Sequence, residues 1–320
     1  MKKVISLLLA VVLAGTAFAA AAPKKDTAKQ EKAKEKAKAS FVIVVDETYA
    51  AGGEDKGLTT GLAGFLEVEP EVTLVPYSTA KADAKLAGLD YSFLPLYLVK
   101  KTPEIRSKLE QHISYGYVLE NDEYLIFPHS TRQGVYTTKT AKPGIMEIFV
   151  MSQCPYGVMA EGAVIQGQKD GKSPKANDVR IRYIVDYNDA RGFSSMHGSG
   201  EWEEDVRQLL IAKYYPTKFW KYLEIRNKDY RSSRWDKAME DAGINAKKIM
   251  KKFDTEGLEL LKQEAAYGKE YGVNASPTFL WEGKVQLDFG TASQIEGFEF
   301  LNPKAPSGNQ AAAPAPAGSC

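Results

Sequence analysis

Cysteine is nearly absent from this sequence of 320 residues, in which Cys154 and Cys320 are the only two. That count excludes a disulfide-rich scaffold and a cysteine-based structural zinc site. Histidine is as scarce: His112, His129 and His197 stand far apart and read as surface or hydrogen-bonded structural residues rather than metal ligands. Net charge is missing too, since 42 Lys and Arg face 41 Asp and Glu. Residues 1–39 hold nine lysines against Asp26, Glu31 and Glu35, a net +6 within a total of +1, so the remainder carries −5. A mildly acidic body lacks the basic face that phosphate neutralisation needs, which argues against nucleic-acid partners. No glycine-rich phosphate loop, paired catalytic carboxylates or serine-nucleophile elbow occurs.

What is present is ordinary globular material, 44% hydrophobic and 11% aromatic, enough for one large or two medium domains. The amino terminus reads as a secretory signal peptide over 1–19. Lys2 and Lys3 precede an apolar run at 4–13 that is too short to span a bilayer comfortably, and Ala17-Phe18-Ala19 supplies a small-x-small cleavage site. Export to the periplasm or the extracellular space follows, with no membrane span after cleavage. Residues 20–40 repeat Lys, Ala and Glu without a large apolar side chain and read as a solvated linker, while the Ala/Pro-rich 303–320 reads as a disordered tail.

The chain between them contains a repeat. The β-branched run Phe41-Val42-Ile43-Val44-Val45 reads as a strand buried on both faces, and Met146-Glu147-Ile148-Phe149-Val150-Met151 is a second such run about 105 residues later. Each precedes a polar turn and a weakly helical stretch, and each half later has a proline leading an apolar strand, at Pro95 and at Pro277. Two copies of one α/β module, 41–140 and 144–302, are the economical reading, with a boundary at the turn-forming residues 140–144. In the first copy 73–76 reads as a strand, 102–116 as helix-rich, and 124–127 with 134–137 as a hairpin. Its first turn, Glu47-Thr48-Tyr49-Ala50-Ala51-Gly52, has no cysteine.

The second copy carries the chemistry. Ser152-Gln153-Cys154-Pro155-Tyr156-Gly157 follows its first strand and opens a helix. A cysteine at that junction sits beside unpaired backbone N–H groups and the positive end of the helix dipole, which lowers a thiol pKa; Pro155 suits the first helical position. Residues 179–186 alternate as a strand. Helices are predicted over 201–214, 216–227, 232–242, 245–253 and 254–271, with Asn245 and Asp254 as N-caps and Gly243 and Gly272 as stops. Val273-Asn274-Ala275-Ser276-Pro277-Thr278 then leads into Phe279-Leu280-Trp281.

A strand, Cys-Pro-Tyr-x at a helix start, a large helical insertion (about 200–271) and a Val-x-x-Ser-Pro-Thr loop before an apolar strand resemble the thioredoxin superfamily in its inserted, DsbA-like form. The resemblance covers about 144–302; 41–140 is similar to a degenerate thioredoxin-like domain, by analogy with the tandem domains of protein disulfide isomerases. It implies two tandem thioredoxin-like domains, a cis bond at Pro277 lying against Cys154, and substrate contacts at Ser276, Pro277 and Thr278. His197-Gly198-Ser199-Gly200-Glu201 also resembles a short motif of the gamma-interferon-inducible lysosomal thiol reductases and their prokaryotic relatives, which would place His197 near the active-site face.

The sequence departs from the family's Cys-x-x-Cys at the fourth position, which is Gly157. A dithiol cycle within the motif is therefore impossible, and what remains is monothiol exchange by Cys154, with release by another thiol: a substrate's, a small molecule's, a redox partner protein's, or that of Cys320, the candidate resolving thiol. The implied partners are polypeptides bearing thiols or disulfides, and no cofactor is required. The competing reading is a redox-inactive binding or chaperone-like module in which Cys154 is a relic.

Overall fold

The structure is a computed structural model that describes residues 36–172 and 178–302. The signal-like segment, most of the 20–40 linker and the 303–320 tail with Cys320 lie outside the described residues. The apolar run at 41–45 forms the middle of strand β1 (Ala37–Val45), where Phe41, Ile43 and Val44 are fully buried. Helix α1 (Lys56–Leu66), capped by the Asp55 carboxylate, leads to β2 (Val68–Pro76), which pairs in parallel with the whole of β1. Short helix α2 (Tyr77–Ala82) and strand β3 (Phe93–Leu94) come next, and a cis Leu94–Pro95 bond opens β4 (Leu96–Lys100), antiparallel to β1. Helix α3 (Pro103–Ser114), β5 (Leu119–Glu120) and β6 (Tyr124–Phe127) complete a sheet of order β2-β1-β4-β6-β5.

The second half begins with β7 (Gly134–Tyr136) and the fully buried β8 (Met146–Val150), followed by helix α4 (Pro155–Lys169) and β9 (Val179–Tyr183), parallel to β8. A small hairpin, β10 (Asp186–Asn188) and β11 (Gly192–Ser194), introduces the inserted helices. These are α5 (Ser199–Tyr214), α6 (Phe219–Arg226), α7 (Trp235–Asp241), α8 (Ala246–Met250) and α9 (Leu258–Glu270). A cis Ser276–Pro277 bond then opens β12 (Thr278–Trp281), antiparallel to β8, before β13 (Val285–Leu287) and α10 (Phe289–Ala292). The sheet order is β3-β7-β13-β12-β8-β9.

Both sheets thus hold the same four-strand arrangement: a parallel pair, an antiparallel strand entered through a cis proline, and a further antiparallel strand. They read β2-β1-β4-β6 and β9-β8-β12-β13. The α/β fold thus repeats one four-strand arrangement, the second time with α5–α9 inserted.

Several sequence-based expectations need correction. Strands 124–127 and 134–137 form no hairpin. β6 pairs with β4 and β5, whereas β7 crosses to the other sheet, setting Val135 opposite both Leu94 and Val285. Glycine at 134 permits this, because a Cβ there would lie 2.2 Å from Phe93 Cζ and 2.4 Å from the Leu94 carbonyl oxygen. Residues 93–94 and 134–136, placed by the sequence in the 41–140 module, therefore extend the second sheet. The end of the 20–40 linker is also structured: residues 37–40 belong to β1, held by backbone pairing with β2 and by a Lys38–Glu71 ion pair of 2.9 Å rather than by large apolar side chains. The strand expected over 179–186 ends at Tyr183, and Asp186 opens β10. Asp254 caps nothing, since Phe253–Gly257 is a π-helical turn and Gly257 stands before α9. Asn245 does cap α8, accepting from the Lys248 N–H, and Gly243 and Gly272 end their helices at positive φ, where glycine carries no Cβ penalty.

Candidate functional site

Cys154 is the N-cap residue of α4, directly after the buried strand β8, with Pro155 at the first helical position. The turn is held from inside by its own backbone: Cys154 N–H donates to the Met151 carbonyl (3.0 Å) and Val158 N–H to the Cys154 carbonyl (3.0 Å). Across from it lies the loop before β12. Cys154 Sγ is 3.6 Å from the Ser276 carbonyl oxygen, and the Ser276 hydroxyl accepts from Met151 N–H at 3.0 Å. The structure thereby brings Cys154, Gly157, Ser276 and the cis Pro277 together at one end of β8 and β12. Thr278 is turned back on its own loop, its hydroxyl donating to the Ala275 carbonyl (2.7 Å). Pro155 is exposed and Tyr156 half-buried. Cys154 itself is fully buried, and in this structure it is disulfide-bonded. The only other cysteine of the sequence is Cys320.

A second set of contacts, from the insertion, grips the turn from the other side. Glu201, fully buried in the first turn of α5, accepts from Gln153 N–H (3.0 Å) and from His197 N–H (3.2 Å), and its Oε1 lies 2.7 Å from His197 Nδ1. The Ser152 hydroxyl donates to the Glu201 carbonyl (3.1 Å). His197 thus reaches the cysteine turn through Glu201. The short motif at 197–201 is explained by that delivery: Gly198 takes φ +92°, and a Cβ on Gly200 would stand 3.3 Å from Gln153 Nε2. Glu201 was not singled out in the sequence, although its spacing of four from His197 inside a glycine-flanked motif was a signal for it.

Further acids lie buried behind the turn. Asp205, one turn along α5 from Glu201, sits beside Ser152, yet neither of its oxygens makes a bond of hydrogen-bonding geometry, because the serine hydroxyl goes to Glu201 instead. Burial, together with the nearby Glu201 and Glu204, holds its carboxyl well above the ordinary range. Glu161 on α4 accepts from Asn227 Nδ2 through one oxygen (2.6 Å) and leaves the other unpartnered. Its carboxyl is pushed up to about 7 by burial, with Glu204 adding to the effect and the Asn227 bond opposing it.

A raised acid has a defined consequence for stability. The folded chain keeps a proton on Glu161 that the unfolded chain releases, so its contribution is present at low pH and is lost as pH rises from the ordinary glutamate range through about 7. The expected loss is on the order of 3 kcal/mol. Urea denaturation of wild type and Glu161→Gln at pH 5 and pH 8 checks it: the variant should gain on wild type at pH 8, and parallel profiles would contradict it.

The first copy lacks this chemistry for a visible reason. Tyr49 stands where Cys154 stands, as the N-cap residue of a 3-10 turn (Ala50–Gly52), and it packs with Ala51 against the core of the second sheet. β7 pairs with the residues just before cis Pro95, and Val135 Cγ2 would lie 3.1 Å from a Cβ on Gly52. The equivalent face is filled by the chain's own strand. Among the described residues no group of three or more His, Cys, Asp or Glu is arranged to hold a metal ion, and no helix is long and apolar enough to cross a membrane.

No family model matches this chain, and no curated protein does. Solved structures that resemble it include the disulfide interchange protein DsbA of Klebsiella pneumoniae, at 15% identity over 53% of this chain and 89% of that one, with a TM-score of 0.38. Pseudomonas aeruginosa DsbA is similar at 15% identity over 53% and 85%, TM-score 0.36. BdbD of Bacillus subtilis is similar at 17% identity over 59% and 94%, TM-score 0.37.

Proposed function

We propose that this chain is an exported thiol–disulfide exchange protein that acts on polypeptides with Cys154 as its attacking thiol and Cys320 as its resolving thiol. The observation that carries the reading is the placement of Cys154: it is the N-cap residue of α4, and its sulfur lies 3.6 Å from the carbonyl oxygen of Ser276, the residue before cis Pro277. The N–H groups of the first helical turn have no intrahelical acceptor, and reactive cysteines are commonly placed at such helix starts. Export to the periplasm or extracellular space rests on the signal-like residues 1–19.

In the first step the Cys154 thiolate attacks one sulfur of a substrate disulfide; a Cys154–substrate bond forms, the substrate S–S bond breaks, and the departing sulfur leaves as a thiolate that takes a proton. If a different thiolate of the substrate then attacks the substrate sulfur of the mixed disulfide, a new substrate S–S bond forms, Cys154 leaves as thiolate, and the substrate is isomerised without net redox change. If Cys320 attacks Cys154 Sγ, the substrate leaves as two thiols and the chain holds a Cys154–Cys320 disulfide, which a small-molecule thiol must reduce before the next turn.

Trapping tests this. Reduced wild type and reduced Cys320→Ser are each mixed with a disulfide-bonded peptide, quenched in acid and mapped without reduction. Wild type should yield a Cys154–Cys320 peptide, and the variant a Cys154–peptide adduct at least about tenfold more abundant than in wild type. Adducts at neither cysteine would favour the redox-inactive alternative, to which the burial of Cys154 otherwise lends itself.

A further inference from the structure

The fourth position of the cysteine turn is closed, and the group that closes it is a serine hydroxyl. Gly157 is the third residue of α4. A Cβ built on it would lie 2.7 Å from Ser276 Oγ, 3.1 Å from the Met151 carbonyl oxygen and 3.1 Å from Val150 Cβ. Real Cβ atoms do not approach a hydroxyl oxygen that closely. Nor can the hydroxyl easily swing aside, because it accepts from Met151 N–H at 3.0 Å and Ser276 is fully buried. Turning it away would leave a buried N–H unpaired, a loss interiors rarely accept. The first copy repeats the pattern with different atoms. Gly52 follows Tyr49 by the same three residues, and its Cβ would lie 2.4 Å from Asp46 Cβ.

We infer that Ser276 is the specificity-determining residue that keeps this site monothiol: its hydroxyl occupies the volume that any side chain at 157, a second thiol included, would need. This deepens the exchange reading and rests on it for its chemical meaning. A mixed disulfide formed at Cys154 has no room for a neighbour in the turn to resolve it, so release depends on a thiol arriving from elsewhere.

The steric part is tested apart from the chemistry by a double-mutant cycle on the full chain. Gly157→Ala should lower Tm by about 3–10 °C, although alanine is the better helix former, because the methyl meets Ser276. In a Ser276→Gly background the same change should lose less than half as much; the Met151 carbonyl and Val150 contacts, at 3.1 Å each, account for what remains. No loss on Gly157→Ala, or an equal loss in both backgrounds, would overturn the inference.

The chemical part uses Cys320→Ser chains equilibrated with oxidised and reduced glutathione. Two thiols and oxidised glutathione give an internal disulfide and two reduced glutathiones. Gly157→Cys with Ser276 retained should carry glutathione on Cys154, whereas Gly157→Cys with Ser276→Gly should form the internal 154–157 disulfide, at least about tenfold enriched by peptide mapping. An internal disulfide formed equally well with Ser276 in place would refute the role given to the serine. Absence of exchange at Cys154 in every variant counts against the proposed function, while the Tm cycle still decides the steric inference.

Discussion

Cys154→Ser is expected to reduce disulfide exchange by this chain to the uncatalysed rate, a fall of roughly 10³-fold or more, with the fold intact. A serine hydroxyl is not a nucleophile toward a disulfide sulfur at neutral pH, and no described residue near the turn offers another thiol. The fold should survive because the substitution favours the helix. Cys154 makes no side-chain cap bond to α4, whereas serine is among the preferred N-cap residues, and the gain from such a cap is typically about 1 kcal/mol. The proper comparison is reduced wild type, since the oxidised protein also has a cross-link to lose. Rearrangement of a scrambled disulfide protein in glutathione buffer, read beside far-UV circular dichroism melts, separates the two effects. Undiminished rearrangement in Cys154→Ser would place the activity elsewhere or remove it from the chain.

The parts of this site that local pattern encodes were legible in the sequence. A β-branched run fixes where β8 stops, a proline at a helix start marks the N-cap next to it, and a second proline before an apolar strand marks the loop that faces the cysteine. These are short-range signals, and the sheet order brings them together. The partner of β7 could not be read that way. Val135 and Tyr136 have the composition of a strand in any sheet, and only the missing side chain of Gly134, which admits Phe93 and the Leu94 carbonyl, settles which one. The acids behind the turn were hidden for the opposite reason: Glu201, Glu204 and Asp205 on α5 look in sequence like a solvated face, and nothing local says that α4, α6 and the cysteine turn close over them. The resemblance marks Ser276 as a substrate contact, while the place of its hydroxyl, bonded by Met151 N–H and facing Gly157, could not be foreseen from one chain segment.

The same buried charge gives the largest expected change in stability. Glu204 is fully buried on α5 and gathers four neighbours: Arg207 Nε at 2.8 Å, the Tyr222 hydroxyl at 2.7 Å, Gln208 Nε2 at 3.1 Å and Arg226 Nε at 3.3 Å. Both guanidiniums are themselves buried. Arg226 keeps the Asp229 and Ser232 carbonyls as other acceptors, and Arg207 keeps Glu203 at 3.7 Å and the Trp235 ring, but only Glu204 supplies a buried negative charge to both. Removing one member of such a group leaves an uncompensated charge in a dry interior, for which losses of about 3–5 kcal/mol are usual. Glu204→Ala should therefore lower Tm by on the order of 10 °C. Replacing all three charges by apolar residues, Glu204→Leu with Arg207→Met and Arg226→Met, should recover most of that loss, because desolvation of the charges disappears with them. A triple variant no more stable than Glu204→Ala would mean that packing at Glu204, and not its charge, joins α5 to α6. The site should register the damage as well. α5 also carries the Glu201 carboxylate that holds Gln153 N–H beside Cys154, so below its melting temperature Glu204→Ala should already exchange disulfides more slowly than wild type, and the triple variant less so.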